Sequence, residues 1–317
     1  MRVAFVFPGQ GSQSVGMLAA LARESGMVRD TFAEASRTLG YDLWQLAEQG
    51  PAEELNRTER TQPAMLAAGV ATWRFWLAAG GRIPEVVCGH SLGEFTALVC
   101  AGTLDYSTAL ELVAFRGRAM QEAVPLGSSA MAAILGLDDA AVVAACAEAA
   151  GTGIVEAVNF NGPGQVVIAG ERAAVECAIA AATARGAKRA VLLPVSVPSH
   201  STLMEPAARR LHERLAGVEL RAPQITYLSA VDALQHSEPE DIRALLARQL
   251  ARPVRWGEAV QAMLATGVRA LIECGPGKVL TGLNRRIERR ANLACIALED
   301  PAAIKTALAA TTGAAHA

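Results

Sequence analysis

Aromatic residues make up only 4% of the 317-residue chain. Alanine, leucine and valine must therefore supply the core, and alanine at this density favours helix. Neither sign of charge dominates. The 29 basic and 31 acidic residues leave a formal charge of -2, without the basic surplus that a nucleic-acid surface calls for. The six cysteines (Cys88, Cys100, Cys146, Cys177, Cys274, Cys295) include no C-x-x-C pair. Most lie in apolar runs, where a free thiol behaves as a small hydrophobe. A chain this long builds a core without staples, so reduced thiols and a cytoplasmic location are expected. No apolar run reaches a membrane span, since the longest uncharged stretch, 123–137, is broken by Pro125 and Gly127. The apolar part of the opening MRVAFVFPGQG is too short for a signal peptide.

Three cofactor motifs begin but are not completed. Ser14 replaces the third glycine of a dinucleotide fingerprint begun at Gly9-Gln10-Gly11. Val279 follows Gly275-Pro276-Gly277-Lys278 where a phosphate loop needs Ser or Thr. Ala216 stands where His212-Glu213 would need a second histidine to hold zinc. Neither a metal nor a bound cofactor is expected.

What the chain does have is 52% hydrophobic residues in a readable order. Val3 to Phe7 reads as a buried strand ended by Pro8-Gly9, and 15–80 is mostly helical by its i, i+3, i+4 spacing. A strand over Val86 to Cys88 leads into Gly89-His90-Ser91-Leu92-Gly93 and a helix, and Asp105 can cap a further helix to Ala123. Residues 125–196 then read strand (130–136), helix (138–150), hairpin (154–160 and 165–169), helix (171–185) and strand (189–195). That order is the βαββαβ of a ferredoxin-like unit. The larger pattern resumes after Val197: a helix over 202–215, a strand over 224–228, helices over 239–251 and 256–266, a strand over 268–273, and a helix from Val279. The expected architecture is α/β, a hydrolase-like core with a parallel sheet (1–124 and 197–317) carrying an inserted ferredoxin-like small subdomain (125–196).

Gly89-His90-Ser91-Leu92-Gly93 is a G-x-S-x-G elbow in the strand-turn-helix context that gives the motif meaning. The glycines let backbone segments close up, and the serine sits where helix N–H groups can meet a developing oxyanion. Glu94, in the first helical turn, suits the helix dipole. A serine hydroxyl needs a base. Of the five histidines, His90 is inside the elbow, His212 lies on a helix, and His236 and His316 lie in polar or terminal stretches. His200 differs, because it follows Val197-Pro198-Ser199 at a strand exit that opens a helix, a place that favours neutral imidazole. Spacing alone serves equally well for a base and for a helix-entry residue held by a local hydrogen bond.

On the helix from Asp105, Arg118 shares a face with Glu111 and Glu122, a solvated row of little energetic weight. Arg116 instead has Leu112, Val113, Ala119 and Met120 at its i±3 and i±4 positions. A buried guanidinium needs an anion. That anion is either an internal carboxylate or the free carboxylate of a dicarboxylic thioester.

Together these segments resemble the malonyl-CoA:acyl carrier protein transacylase family of type II fatty acid synthesis. Phe7 to Gln13, Gly89 to Glu94, Arg116-Gly117, Asn159-Phe160-Asn161, Val166 to Gly170, Val197 to His200, Arg248-Gln249-Leu250, Pro253 to Trp256 and Glu273 to Gly277 carry the likeness, in the family's order along nearly the whole chain. The resemblance implies that Ser91 is acylated and His200 is its base. It makes the N–H groups of Gln10 and Leu92 the oxyanion hole, Arg116 the grip on the malonyl carboxylate, and the Gln249 carbonyl the group that orients the histidine. The substrates implied are malonyl-CoA and holo-acyl carrier protein, in a ping-pong cycle, with no nucleic acid and no membrane; a monomer suffices. An acidic carrier protein implies a basic rim, for which Lys188-Arg189, Arg285-Arg286 and Arg289-Arg290 are candidates, although such runs are more often plain solvated faces. Phe95 replaces a frequent tyrosine, and Ser229-Ala230 stands where many members carry an asparagine, which puts an amide role at Ala230 in doubt.

Three rivals fit less well. An α/β-hydrolase esterase or thioesterase places several strands before its elbow and its histidine last, whereas 15–80 reads as helical and more than a hundred residues follow His200. A related acyltransferase for polyketide synthesis with another acyl-CoA differs by substrate competition. A non-catalytic module that binds the carrier protein has no need of Ser91, His200 and Arg116 together.

Overall fold

The computed structural model describes residues 1–195 and 197–311; Ser196 and the alanine-rich tail with His316 lie outside the described residues. Strand β1 (Arg2–Phe7) is followed by helices α1 (Ala19–Glu24), α2 (Met27–Leu39), α3 (Leu43–Gln49), α4 (Ala52–Leu55) and α5 (Thr58–Ala78). Strand β2 (Val86–Gly89) leads into α6 (Gly93–Cys100) and α7 (Tyr106–Glu122). Next come β3 (Ser129–Leu135), α8 (Asp139–Ala149), β4 (Val155–Gly162), β5 (Gln165–Glu171), α9 (Arg172–Ala184) and β6 (Arg189–Leu192). The chain closes with α10 (Glu205–Leu215), β7 (Thr226–Leu228), β8 (Gln235–His236), α11 (Pro239–Arg248), α12 (Trp256–Ala265), β9 (Val268–Glu273), α13 (Val279–Ile287), β10 (Ala294–Ala297) and α14 (Pro301–Thr311).

Six strands form one sheet in the order β10-β9-β1-β2-β7-β8. Val3 to Phe7 are all buried, as a central strand covered on both faces requires. Every pairing is parallel except the last, where β8 runs antiparallel to β7. The sheet is thus mostly rather than wholly parallel, because a short connection of 229–234 can only return as a hairpin. The loops after β1, β2 and β9 leave the same sheet end, the carboxyl end, where open α/β sheets hold their ligands.

The second sheet, antiparallel in the order β4-β5-β3-β6, has the connectivity of the ferredoxin-like unit. Its residues alternate in role as a strand's period of two demands. Ala130, Ala132, Ile134, Val166 and Ile168 pack with α8 and α9. Met131, Val158, Val167 and Ala169 form a separate cluster on the other face. Strand β4 is bolted to the large sheet's side of the molecule, since Val254 N–H donates to Val158 O at 2.8 Å and Phe160 N–H donates to Val254 O at 2.8 Å.

Several elements are shorter than their apolar runs. The β6 ladder ends just past Leu192: Leu193 N–H still donates to Met131 O at 2.9 Å, but Pro194 has no N–H to donate. The expected strand from Gln224 begins only at Thr226, since Gln224 N–H is taken by Ala101 O at 2.8 Å. The helix expected from 202 opens with a 3-10 turn and becomes α10 at Glu205, and the helix expected to reach 251 ends as α11 at Arg248 with a 3-10 turn over Gln249–Ala251.

Candidate active site

Ser91 occupies the elbow between β2 and α6 with φ of 54°, a left-handed conformation that is strained for a serine and marks a functional turn. The turn closes through His90 N–H to Phe7 O and Gly93 N–H to His90 O, both 2.9 Å. A Cβ on Gly93 would lie 2.0 Å from Phe7 O, and one on Gly89 would lie 2.0 Å from Glu94 N. Only glycine fits at either position.

His200 is buried, at 3% exposure, with φ of 69° and its N–H on Leu250 O at 2.9 Å. Its Nδ1 lies 2.8 Å from Gln249 O and 3.1 Å from Arg252 O. Carbonyls only accept, so Nδ1 carries the proton and Nε2 is left as an acceptor. That Nε2 lies 2.8 Å from Ser91 Oγ, within reach to take the hydroxyl proton. The carbonyl of Gln249, which opens the 3-10 turn after α11, and that of Arg252, just past the turn, thus orient the ring. Burial first, then the charge of Arg116, pushes the imidazole's proton affinity down to about 3. The neutral state therefore has a cause other than a helix terminus, because α10 starts five residues later.

Arg116, on α7, is 1% exposed. Its Nη2 donates to Gln249 Oε1 at 3.0 Å and to Ser91 Oγ at 3.3 Å, and its Cζ sits 5.8 Å from the Phe95 ring centre. Among the described residues no carboxylate pairs with it and its Nε has no partner. Burial lowers its proton affinity to about 10, opposed by Glu94, so it stays charged at neutral pH. The exposed row expected around Arg118 is not what forms: Glu111 and Glu122 reach across to Arg214 and Arg210 on α10.

Ser91, Arg116 and His200 line a cavity of about 90 Å³ together with Gln10, Leu92, Met120, Met131 and Asn159. Among the described residues, the backbone N–H groups of Gln10 and Leu92 meet no internal acceptor. Of the remaining histidines, His90 Nε2 holds Asn161 Oδ1 at 2.9 Å and its ring leans on Trp256, which ties β4 to the elbow. His236 pairs with Asp232 at 3.2 Å, and His212 lines a groove between α10 and α11. In the basic runs, Arg285 and Arg286 are spent on Cys295 O and Gln165 Oε1, and Arg290 on Glu288.

Two features escaped the sequence reading. Glu94 is fully buried, held by Ser229 Oγ at 2.8 Å, Ala230 N–H at 2.7 Å and Gln249 Nε2. The main chain of Ala230 thus supplies a contact that needs no asparagine. The side chain of Gln249, not only its carbonyl, enters the site. The signal for Glu94 was present: Phe95 to Ala101 carries no charge, so α6 is buried all round and any carboxylate on it must be paired.

A serine held in a strained elbow against a neutral, carbonyl-oriented histidine, on a mostly parallel sheet with a small antiparallel one beside it, defines a serine acyltransferase. The acyl transferase domain family matches residues 4–296. Within it, the chain belongs to the malonyl CoA-acyl carrier protein transacylases. The Salmonella typhimurium member is 55% identical over 96% of this chain and 98% of its own length. The Bacillus subtilis member is 42% identical over 97% and 96%. Among solved structures, an acyl-carrier-protein S-malonyltransferase from Burkholderia pseudomallei superposes with a TM-score of 0.94 at 55% identity, covering 98% of this chain and all of that one. A malonyl-transacylase solved in complex with its type II PKS acyl-carrier protein gives 0.95 at 54%, covering 98% and 99%.

Proposed function

We propose that the enzyme transfers a malonyl group from coenzyme A to the phosphopantetheine thiol of acyl carrier protein through an ester on Ser91, in fatty acid synthesis. His200 Nε2 takes the hydroxyl proton as Ser91 Oγ attacks the thioester carbonyl. The oxyanion forms against the N–H groups of Gln10 and Leu92. As the tetrahedral centre collapses, the C–S bond breaks and His200 returns the proton to the departing coenzyme A thiol. The carrier's thiol then gives its proton to His200 and attacks the ester; the bond from the acyl carbon to Ser91 Oγ breaks, and His200 returns the proton to Oγ. The Gln249 carbonyl keeps the ring in one tautomer through both halves. The cycle uses no bound cofactor. Six unpaired cysteines suit a reducing compartment, and no helix among the described residues is long and apolar enough to cross a membrane, so we place the enzyme in the cytoplasm. Residues 125–196 act as a small subdomain that walls the cavity with Met131 and Asn159.

The observation that carries the malonyl assignment is a buried, charged Arg116 beside the nucleophile with no carboxylate of its own. With no carboxylate among the described residues claiming it, the guanidinium at the cavity wall is left to meet an acyl group that ends in a carboxylate. Arg116→Ala is expected to cut malonyl loading roughly 100-fold more than acetyl loading, the scale for truncating one side of a buried charged pair. Equal losses for both thioesters would remove the assignment.

A further inference from the structure

We propose that Glu94 is a positioning residue that sets the polarity of the Arg116 clamp through the side-chain amide of Gln249; this rests on Arg116 being the carboxylate grip. A primary amide has two ends of nearly the same shape, and only its partners decide which end points where. Gln249 Nε2 spends its two hydrogens on Glu94 Oε2 and on Ser91 O, the latter at 2.9 Å. Both partners are pure acceptors, so the amide oxygen is forced to the opposite side, where Arg116 Nη2 meets it at 3.0 Å. Turning the amide over would set oxygen against a carboxylate and a carbonyl, and an NH2 group against a guanidinium. Glu94 in turn is fixed from behind by Ser229 Oγ and Ala230 N–H on its other oxygen, at the end of β7. The line therefore runs from the carboxyl end of β7 through Glu94 and Gln249 to Arg116.

The arrangement does two things for binding. It steers the guanidinium toward Ser91 with a neutral oxygen, which leaves the positive charge for the substrate. It also keeps the protein's own carboxylate one amide away, where it balances a buried cation without occupying it. The residue between them is the same one whose main-chain carbonyl holds His200, so clamp and base share one support.

Glu94→Gln separates this role from mere packing. The oxygen of the substituted side chain stays with Ser229 and Ala230, so its new NH2 group faces Gln249. The Gln249 amide then turns to accept, and its own NH2 is set against Arg116. The ratio of malonyl to acetyl kcat/KM is expected to fall roughly tenfold, chiefly through the malonyl KM, as for a misdirected hydrogen bond to a charged group. In a Gln249→Met background, which lacks the amide, Glu94→Gln should change that ratio no further. Equal losses for both thioesters in E94Q, or a full further loss in the Q249M background, would overturn the proposal. Should E94Q fail to fold, Q249M alone decides: it must show the selective malonyl loss, and a wild-type ratio overturns the idea. If R116A is itself unselective, the carboxylate reading fails first; if R116A is selective and E94Q is not, only the role of Glu94 fails.

Discussion

At the scale of single residues the site is a problem in placing charge. His200 has its proton affinity held down by burial and by the Arg116 cation, while two carbonyls on Nδ1 pull the other way. A group depressed in this way is neutral, and competent as a base, above its lowered value and is switched off as pH falls through it. Removing the cation takes away one depressing cause. In Arg116→Ala the acid limb of the acetyl-loading kcat/KM profile should therefore move to higher pH than in the wild type; an unmoved or lower limb contradicts that electrostatic balance. The same sign applies to folding. Neutral burial of His200 contributes stability that is present above the ordinary histidine value of about 6.5 and is lost as pH falls toward 3. Ser91 was legible because a five-residue pattern sat between a strand and a helix, and Arg116 because apolar neighbours surrounded it on a helical wheel. The Glu94–Gln249 contact joins residues 155 apart in sequence, and no local period encodes such a pairing.

At the scale of elements, the strand-elbow-helix unit is built on close backbone approach. Gly93 lies against Phe7 O of the neighbouring strand, and a methyl group there has no flexible side chain to displace. Gly93→Ala is expected to lower stability by roughly 1–3 kcal/mol, the range for overpacking, and to reduce Ser91 acylation with it. A thermal melt at the wild-type midpoint with full acylation would show the contact to be slack. Long elements were readable from period alone: Asp105 does cap α7, accepting from Ser107 N–H at 3.1 Å, and Asp138 caps α8. The short ones were not. The strands β8 and β10, two and four residues long, leave no periodic trace and exist because a neighbouring strand offers them partners. The helix α14, with 11 residues, was hidden in an alanine-rich stretch whose pattern does not separate core from tail. Strand ends such as Leu192 were misplaced for a related reason: apolar character runs on past the end of the ladder, because Leu193 and Val195 line the cavity.

At the scale of the whole molecule, two sheets meet across the reacting atoms. The large sheet brings Gln10, Ser91 and the loop after β9 to one end, and the small sheet supplies Met131 and Asn159 to the opposite wall. The hydrogen bonds of Val254 to β4 and of His90 to Asn161 pin the two together. The order of elements made this layout readable from the sequence, whereas the closeness of the two walls depends on contacts between distant segments. One covalent event inside that cleft underlies all of the chemistry. Intact-mass measurement after mixing the enzyme with malonyl-CoA, followed by peptide mapping, tests it most directly. One malonyl group should appear on the peptide containing Ser91, vanish when holo-acyl carrier protein is added, and never form in Ser91→Ala. An adduct that persists in Ser91→Ala, or transfer that proceeds without any adduct, would contradict it.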